Sequence, residues 1–356
     1  MWCCPRATTR RPSLEWVVSK QAKNQRQHRT PRQRQDHRRH SAGGLLLLSC
    51  VAGCLSAQEL QPRAYIPAPD GLNYFGISYS NNAGGLLFDP SLPVTDAHVN
   101  ANIVTLAFGQ TLGLLGRTVQ ILMVFPYAVA NLNGNLSESG EQYLYRSGLG
   151  DATFRYAMNI HGAPAMDVKE FSRYHQKTIV GASITVTAPM SQYDPRRLIN
   201  IGTNRWAFKP ELGVSRALGK WTLEGAAGLW LYTANHQYYG SNSLTQLPLG
   251  SLQVHVVRNL PRRSWLAFDG TFYTGARSQI NGRDQANYQG NTRFGATFGI
   301  ALNRRQAIKI SYFEGALTRV GTDIRSLGIS YNVIWQTGRL KRHEAKTLAS
   351  VDYTNN

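Results

Sequence analysis

The chain has 356 residues, with 39 Lys and Arg against 20 Asp and Glu, so its formal net charge is +19. This length suffices for two soluble domains or one large β domain, and such a charge usually indicates a nucleic-acid or membrane-surface partner. The charge is unevenly placed, because residues 1–40 hold eleven bases and two acids, and all four cysteines lie at or before position 54. Because no cysteine follows position 54, the rest of the chain cannot hold a zinc ribbon, a disulfide framework or a cysteine nucleophile. We expect no nucleic-acid partner.

The first 57 residues have the features of a leader. Residues 1–40 form a basic extension, which is either a mis-assigned start or a long leader, and residues 41–57 read as a signal peptide. The apolar run 42–55 follows two arginines and ends in small residues, as export signals do, and it is shorter than the roughly 20 residues of a spanning helix. Two processing outcomes stay open: cleavage near Ala57, or lipidation at Cys54, since residues 51–54 resemble a lipobox.

Apolar and polar residues alternate with period two through most of the chain after residue 70. In 179–188, for example, Val180, Ile184 and Val186 oppose Gly181 and three hydroxyl residues. A soluble sandwich has a Lys- and Glu-rich outer face, whereas here the polar face is rich in Gly, Ser, Thr and Asn. The pattern therefore predicts an all-β fold, a transmembrane antiparallel up-and-down β-barrel with apolar residues outside.

About twelve strands follow from this pattern, and they divide the chain into a barrel over 58–336 and a polar C-terminal tail over 337–356. Short connections alternate with long ones, as expected for periplasmic turns and external loops. The predicted strands are 71–80, 97–110, 117–129, 150–160, 177–189, 204–217, 221–234, 247–258, 264–276, 291–303, 306–317 and 323–335. The connection 161–176 is long but falls among the short turns, and its apolar spacing indicates a turn or two of helix against the rim. Tryptophans at strand ends predict an interfacial aromatic girdle of Trp206, Trp221, Trp265 and Trp335.

Several segments are similar to a known family. They include 60–65 (LQPRAY), 69–75 (PDGLNYF), 88–93 (FDPSLP), 192–195 (QYDP), 199–213 (INIGTNRWAFKPELG) and 318–323 (TRVGTD). In these segments the chain resembles the outer-membrane transporter family associated with the phenol meta-degradation pathway, over roughly residues 58–336. The resemblance implies an outer-membrane barrel connected with the uptake of aromatic compounds, but no particular substrate.

Motifs for enzymatic chemistry do not stand out. The sequence has no G-x-S-x-G elbow and no H-E-x-x-H pair, and its scattered histidines do not have metal-ligand spacing. We therefore expect no enzyme, no cofactor and no metal. Charged residues on inward faces are better candidates, either pairing to fill the lumen or filtering solutes. These lumen-lining candidates are Arg155, Lys209, Glu211, Glu224, His255, Asp269, Arg293, Lys309 and Glu314.

The sequence thus predicts an outer-membrane channel, exported by a signal peptide, for passive uptake of small hydrophobic or aromatic solutes. The expected partners are outer-membrane lipid and lipopolysaccharide, the barrel assembly machinery and a small-molecule solute. One alternative is a non-transporting structural or surface-binding barrel, and a less favoured one is a barrel hydrolase.

Overall fold

The computed structural model describes residues 62–87, 94–136, 140–197, 199–318 and 321–336. These residues form seventeen strands and one short helix. The strands of the barrel wall are β1 (Leu72–Leu87), β2 (Val94–Leu114), β3 (Arg117–Leu136), β4 (Gly140–Leu149), β5 (Ala152–His161), β6 (Thr178–Ala188), β7 (Ala207–Leu218), β8 (Trp221–Tyr232), β11 (Leu249–Leu260), β12 (Ser264–Gly275), β15 (Gln289–Ala301), β16 (Gln306–Leu317) and β17 (Gly321–Gln336).

The wall closes as a barrel of twelve antiparallel positions, which confirms the predicted fold and strand number. β4 and β5 share one position, because β3 pairs with β4 along its second half and with β5 along its first half. Neighbours in sequence pair around the wall. β17 then pairs with β1 from Leu72↔Gln336 to Leu87↔Gly321 and leaves no open edge, as a spanning sheet requires.

Alternation along each strand separates an apolar exterior from a polar interior. On β2, for instance, Val104, Leu106 and Phe108 are exposed, whereas Ile103 and Thr105 are buried. Buried Ser, Thr, Asn and charged residues recur on the inner positions of the other strands. A lipid-facing band outside and a filled polar lumen inside follow from this arrangement.

Three of the four tryptophans predicted to form the girdle lie on the outer face, and one does not. Trp206, Trp221 and Trp335 are exposed on the outer face, the first at the end with long loops and the other two at the opposite end. We call these the long-loop end and the short-turn end. Trp265 is wrong, because it is only 4% exposed and points inward; it has the strand parity of the buried Asp269 rather than that of the exposed Phe268.

Two predicted loop regions are instead mostly strand. β1 to β4 continue through much of 81–96 and 130–149, where Asn side chains bond across strands, as Asn81 does to Asn100 and Asn102 at 2.8 and 3.0 Å. Asn has a low strand propensity, and these cross-strand contacts offset it. The loops after β8 and β12 also contain a four-stranded sheet: β9 (Asn235–Tyr238), β10 (Asn242–Gln246), β13 (Ser278–Ile280) and β14 (Arg283–Asp284).

The predicted helical turn is present as α1 (Val168–Phe171) in the long connection at the short-turn end. Asp167 and Glu170 form a capping box at its start, which satisfies backbone donors that a short helix cannot pair internally. Met166 and Phe171 are buried, while Val168 is exposed. Over the described residues no helix is long and apolar enough to cross a membrane.

Candidate functional site

Residues 62–71 run inside the barrel, and we call them the luminal segment. The backbone N–H of Arg63 donates to Glu224 Oε2 of β8 at 2.5 Å. Its guanidinium lies 5.2 Å from the centroid of the inward-facing Trp265 and donates to Asn259 Oδ1 at 3.3 Å. The segment therefore begins near the short-turn end of β11 and β12, where it covers the inner wall.

Tyr65 anchors the middle of the luminal segment to β6 and β7, next to β8 in the wall. Its hydroxyl donates to Glu211 Oε1 at 2.8 Å and lies 3.0 Å from Ser183 Oγ. Its ring fits against Gly181 and Gly213, where an added Cβ would come within 2.2 Å of ring carbons. Only glycine at these inward positions of β6 and β7 leaves room for the ring.

The luminal segment returns to the short-turn end before β1 begins. Gln120 Nε2 donates to the Ile66 carbonyl at 3.2 Å. Asp70 N donates to the Met166 carbonyl, and Gly71 N to the Thr111 carbonyl, both at 2.8 Å. The connection that carries α1 thus holds the base of the segment, while Tyr65 holds its tip.

Eight of the nine residues predicted to line the lumen lie inside the barrel. Lys209 Nζ pairs with Glu211 Oε2 at 2.7 Å, and His255 Nδ1 with Asp269 Oδ1 at 2.7 Å. Charges in a poorly solvated interior need such partners. The other four are Arg155, Glu224, Arg293 and Lys309, each less than 10% exposed.

These buried residues also make further luminal contacts. Arg155 lies 5.1 Å from the Tyr65 ring centroid, and Glu224 accepts a hydrogen bond from Ser215 Oγ at 3.1 Å. Arg293 donates to the Ile324 carbonyl at 3.2 Å. A narrow cavity remains around the tip of the luminal segment, lined by Ala64, Tyr65, Arg155, Glu211, Gln253 and His255.

Glu314 differs from the prediction and lies on the outer face. It is exposed, and Tyr312 Oη donates to its Oε2 at 2.8 Å. Both residues have the parity of the exposed Ile310, opposite to that of the buried Lys309. Lys309 and Glu314 are five residues apart, so an unbroken strand cannot point both inward.

Sequence reasoning missed a cluster of aromatic and basic residues inside the long-loop end. Arg205 lies 4.5 Å from the Tyr232 ring centroid, and Lys209 Nζ lies 5.5 Å from that of Trp230. The rings of Trp230 and Tyr232 are stacked at 6.5 Å, and Trp230 packs with Tyr273. We call Arg205, Trp230, Tyr232 and Tyr273 the mouth cluster. The sequence feature that could have indicated this cluster is Arg205, which lies in the family-like segment 199–213.

The connection between β6 and β7 positions Arg205. Asp151 accepts hydrogen bonds from Ser191 Oγ at 2.7 Å and from Thr203 N and Oγ1 at 2.8 and 2.9 Å. Asn204, at a φ of 52°, donates from Nδ2 to Asn235 Oδ1 at 3.1 Å. Both ends of the connection are therefore tied to the wall and to the small sheet.

A compact turn lies at the outer part of this connection. Asp194 accepts hydrogen bonds from the side chain and the backbone of Arg196, which lower the pKa of Asp194. Asn200 Nδ2 donates to the carbonyls of Asp194 and Arg197 at 3.1 and 3.0 Å. The segment 192–195 is thus part of an ordered turn on which Arg196 and Arg197 stay exposed.

The leader, Cys54, the alternative processing at Ala57, and the tail 337–356 lie outside the described residues. Among the residues that are described, no three His, Cys, Asp or Glu side chains are grouped so that they could hold a metal ion.

Comparison with solved structures gives the following matches. An outer membrane channel from Pseudomonas putida F1 superposes with a TM-score of 0.66 at 20% identity, covering 78% of this chain and 100% of that one. The beta domain of the Bordetella autotransporter BrkA gives a TM-score of 0.45 at 13% identity, covering 75% and 100% of the two chains. No curated protein sequence matches the chain.

Residues 77–338 match the family described as the MetA-pathway of phenol degradation. The match spans most of the barrel, so the chain belongs to this family, as the sequence resemblance implied.

Proposed function

We propose that this member of the phenol-degradation family is an outer-membrane channel for the passive uptake of small hydrophobic or aromatic solutes. The observation that carries the proposal is the lumen itself, a closed wall with an apolar exterior around a polar, charged interior. The description of the family, which refers to phenol degradation, supports aromatic compounds as the solutes in this proposal. The short turns would then face the periplasm and the long loops the cell exterior.

Uptake through this lumen requires the luminal segment to move. Tyr65 and Arg63 occupy the space between β6, β8 and β12, and twelve strands enclose a narrow interior even without them. We therefore assign to the segment the role of a plug whose displacement widens the path.

The filled lumen is also the observation that favours the second candidate, a non-transporting structural barrel. A hydrolase has less support. His255 is oriented by Asp269, but within the described residues no serine hydroxyl hydrogen-bonds to His255. His236 lies 3.2 Å from Ser243 Oγ, but His236 is exposed, and no described carboxylate orients its ring.

The test is reconstitution of the purified barrel. Conductance in planar bilayers and flux of small aromatic solutes into proteoliposomes are expected above those of protein-free controls, and slower gel migration after boiling checks that the barrel is folded. A folded barrel with neither conductance nor flux would reject the channel and leave the structural candidate.

A further inference from the structure

The guanidinium of Arg205 in the mouth cluster has a donor nitrogen that lacks a hydrogen-bond acceptor. One of its terminal nitrogens, Nη2, donates to Gln246 Oε1, but Nη1 is buried and has no hydrogen-bond partner in the described part of the chain. Nor does any described carboxylate lie within ion-pair distance of Arg205. The charge of Asp151 acts on Arg205, but Asp151 accepts hydrogen bonds from Ser191 and Thr203. Burial lowers the pKa of the Arg205 guanidinium, but an arginine stays charged at neutral pH.

The other bases near Arg205 are not equivalent to it. Lys209, which lies over Trp230, is neutralised by Glu211 at 2.7 Å. Arg196 and Arg197 are exposed and pair with Asp194. Unlike these three bases, Arg205 has no ion-pair partner in the described part of the chain, and a buried cation in this state favours an anion.

The aromatic side chains around Arg205 indicate a second feature of the ligand, a planar ring. Trp230 is only 4% exposed, and its buried Nε1 has no acceptor among the described residues. Tyr232, whose ring is parallel to that of Trp230 at an interplanar angle of 8°, is partly exposed and offers an aromatic surface beside the guanidinium. A ligand with a planar ring and a planar anionic group matches both features, because rings stack on Trp and Tyr and a carboxylate accepts two parallel bonds from Arg.

We propose that the mouth cluster is a recognition site for aromatic carboxylates, with Arg205 binding the carboxylate and Tyr232 contacting the ring. This inference rests on the proposed channel function and names the class of solute that the channel selects. A neutral aromatic solute makes the ring contacts without the charge of a carboxylate, and a small aliphatic carboxylate brings the charge without the ring.

Calorimetric titration of the folded barrel in detergent separates these contributions. The probes are benzoate, its neutral counterpart benzamide, and acetate, which has the charge without the ring. Benzoate is expected to bind the native protein more tightly than either. Arg205→Gln should weaken benzoate at least about tenfold, the loss typical of a charge-assisted hydrogen bond, and weaken benzamide by a smaller factor, because a neutral carbonyl oxygen is the weaker acceptor.

The chain offers a closely matched control. Arg258 also lies 4.5 Å from an aromatic centroid, that of Trp221, but on the outer face at the short-turn end. Arg258→Gln should bind benzoate as the native protein does. Arg205→Lys keeps the charge but loses the forked geometry, and its affinity should fall between those of the native protein and Arg205→Gln.

Three results would overturn the inference: benzoate binding no tighter than benzamide, unchanged binding by Arg205→Gln, or equal losses for both probes. The first needs only the native protein, so it decides even if the variant does not fold. A native barrel that conducts and passes solutes but fails this comparison rejects the recognition site alone. Absence of conductance and flux would instead reject the proposed function.

Discussion

At the scale of single residues, shape holds Tyr65 in place as much as hydrogen bonding does. Its hydroxyl reaches Ser183 and Glu211, but its ring can lie flat only because positions 181 and 213 lack a Cβ. These two contacts are separable by mutation, since a methyl group at either glycine displaces the ring without changing any charge.

Gly213→Ala is therefore predicted to release the luminal segment. The added Cβ would lie 2.2 Å from Tyr65 Cε2, and a rigid ring cannot yield without losing the bonds of its hydroxyl. Loss of hydrogen bonds to buried polar groups costs about 1–3 kcal/mol, which shifts the equilibrium towards the displaced segment about 5–150-fold. Single-channel recording in planar bilayers should show larger or longer openings than those of the native barrel.

Gly225→Ala is the control for this change. A Cβ at position 225 meets its nearest neighbour, the Gln253 carbonyl oxygen, at 3.8 Å, which is an ordinary contact. This variant should conduct like the native protein. If Gly213→Ala folds, as judged by heat-modifiable migration, and also conducts like the native protein, the luminal segment is not the constriction.

Among the structural elements, the connection between β6 and β7 depends on one carboxylate. Asp151 receives bonds from Ser191 and Thr203, residues near the two ends of the connection. The exposed Arg196 and Arg197 lie between these ends, so they offer a way to detect local opening by proteolysis.

Asp151→Asn is predicted to loosen this connection without unfolding the barrel. The amide retains one acceptor oxygen and has no charge, so at least two of the four hydrogen bonds are lost or weakened, about 1–3 kcal/mol in local opening free energy. Limited trypsin digestion should cleave at Arg196 or Arg197 about 5–150-fold faster, because cleavage follows the open population.

Asp284→Asn is the matched change in the small sheet. Asp284 is exposed, lies 3.7 Å from Arg277 and accepts a hydrogen bond from Gln279 Nε2 at 2.8 Å, so its contacts lie within the small sheet and its loop rather than with the connection between β6 and β7. Cleavage at Arg196 and Arg197 should be unaffected by it. Equal rates for native and Asp151→Asn proteins would mean that Asp151 does not hold the connection closed.

For the whole molecule, period-two alternation was sufficient to predict the twelve-position barrel, because inward positions favour polar residues and outward positions favour apolar ones. The assignment of a residue to a face failed where its type fits either face. Trp265 has the residue type of an interfacial girdle but the parity of the interior, and Glu314 has the type of a luminal charge but the parity of the exterior.

The site was less predictable than the wall for a different reason. Tyr65 and Arg63 precede the first strand, where no periodicity assigns a face, and their partners lie more than 100 residues away. The mouth cluster likewise joins Arg205 of a connection to Tyr232 of β8 and Gln246 of β10. Contacts of this kind depend on how the barrel closes, which local patterns do not encode.

The position of the barrel in a bilayer follows from the same alternation on the outer face of β2. Leu106 lies in the exposed apolar band, whereas Asn100 lies six residues further towards the long-loop end, about 20 Å along an extended strand. In proteoliposomes, Asn100→Cys should react with a membrane-impermeant maleimide and Leu106→Cys should not, because lipid covers only the second. No other cysteine occurs after residue 54, so in a chain that begins after this residue the label reports a single site. Both variants should react fully once unfolded in detergent and heat, and equal labelling of the two in folded proteoliposomes would contradict the assigned membrane band.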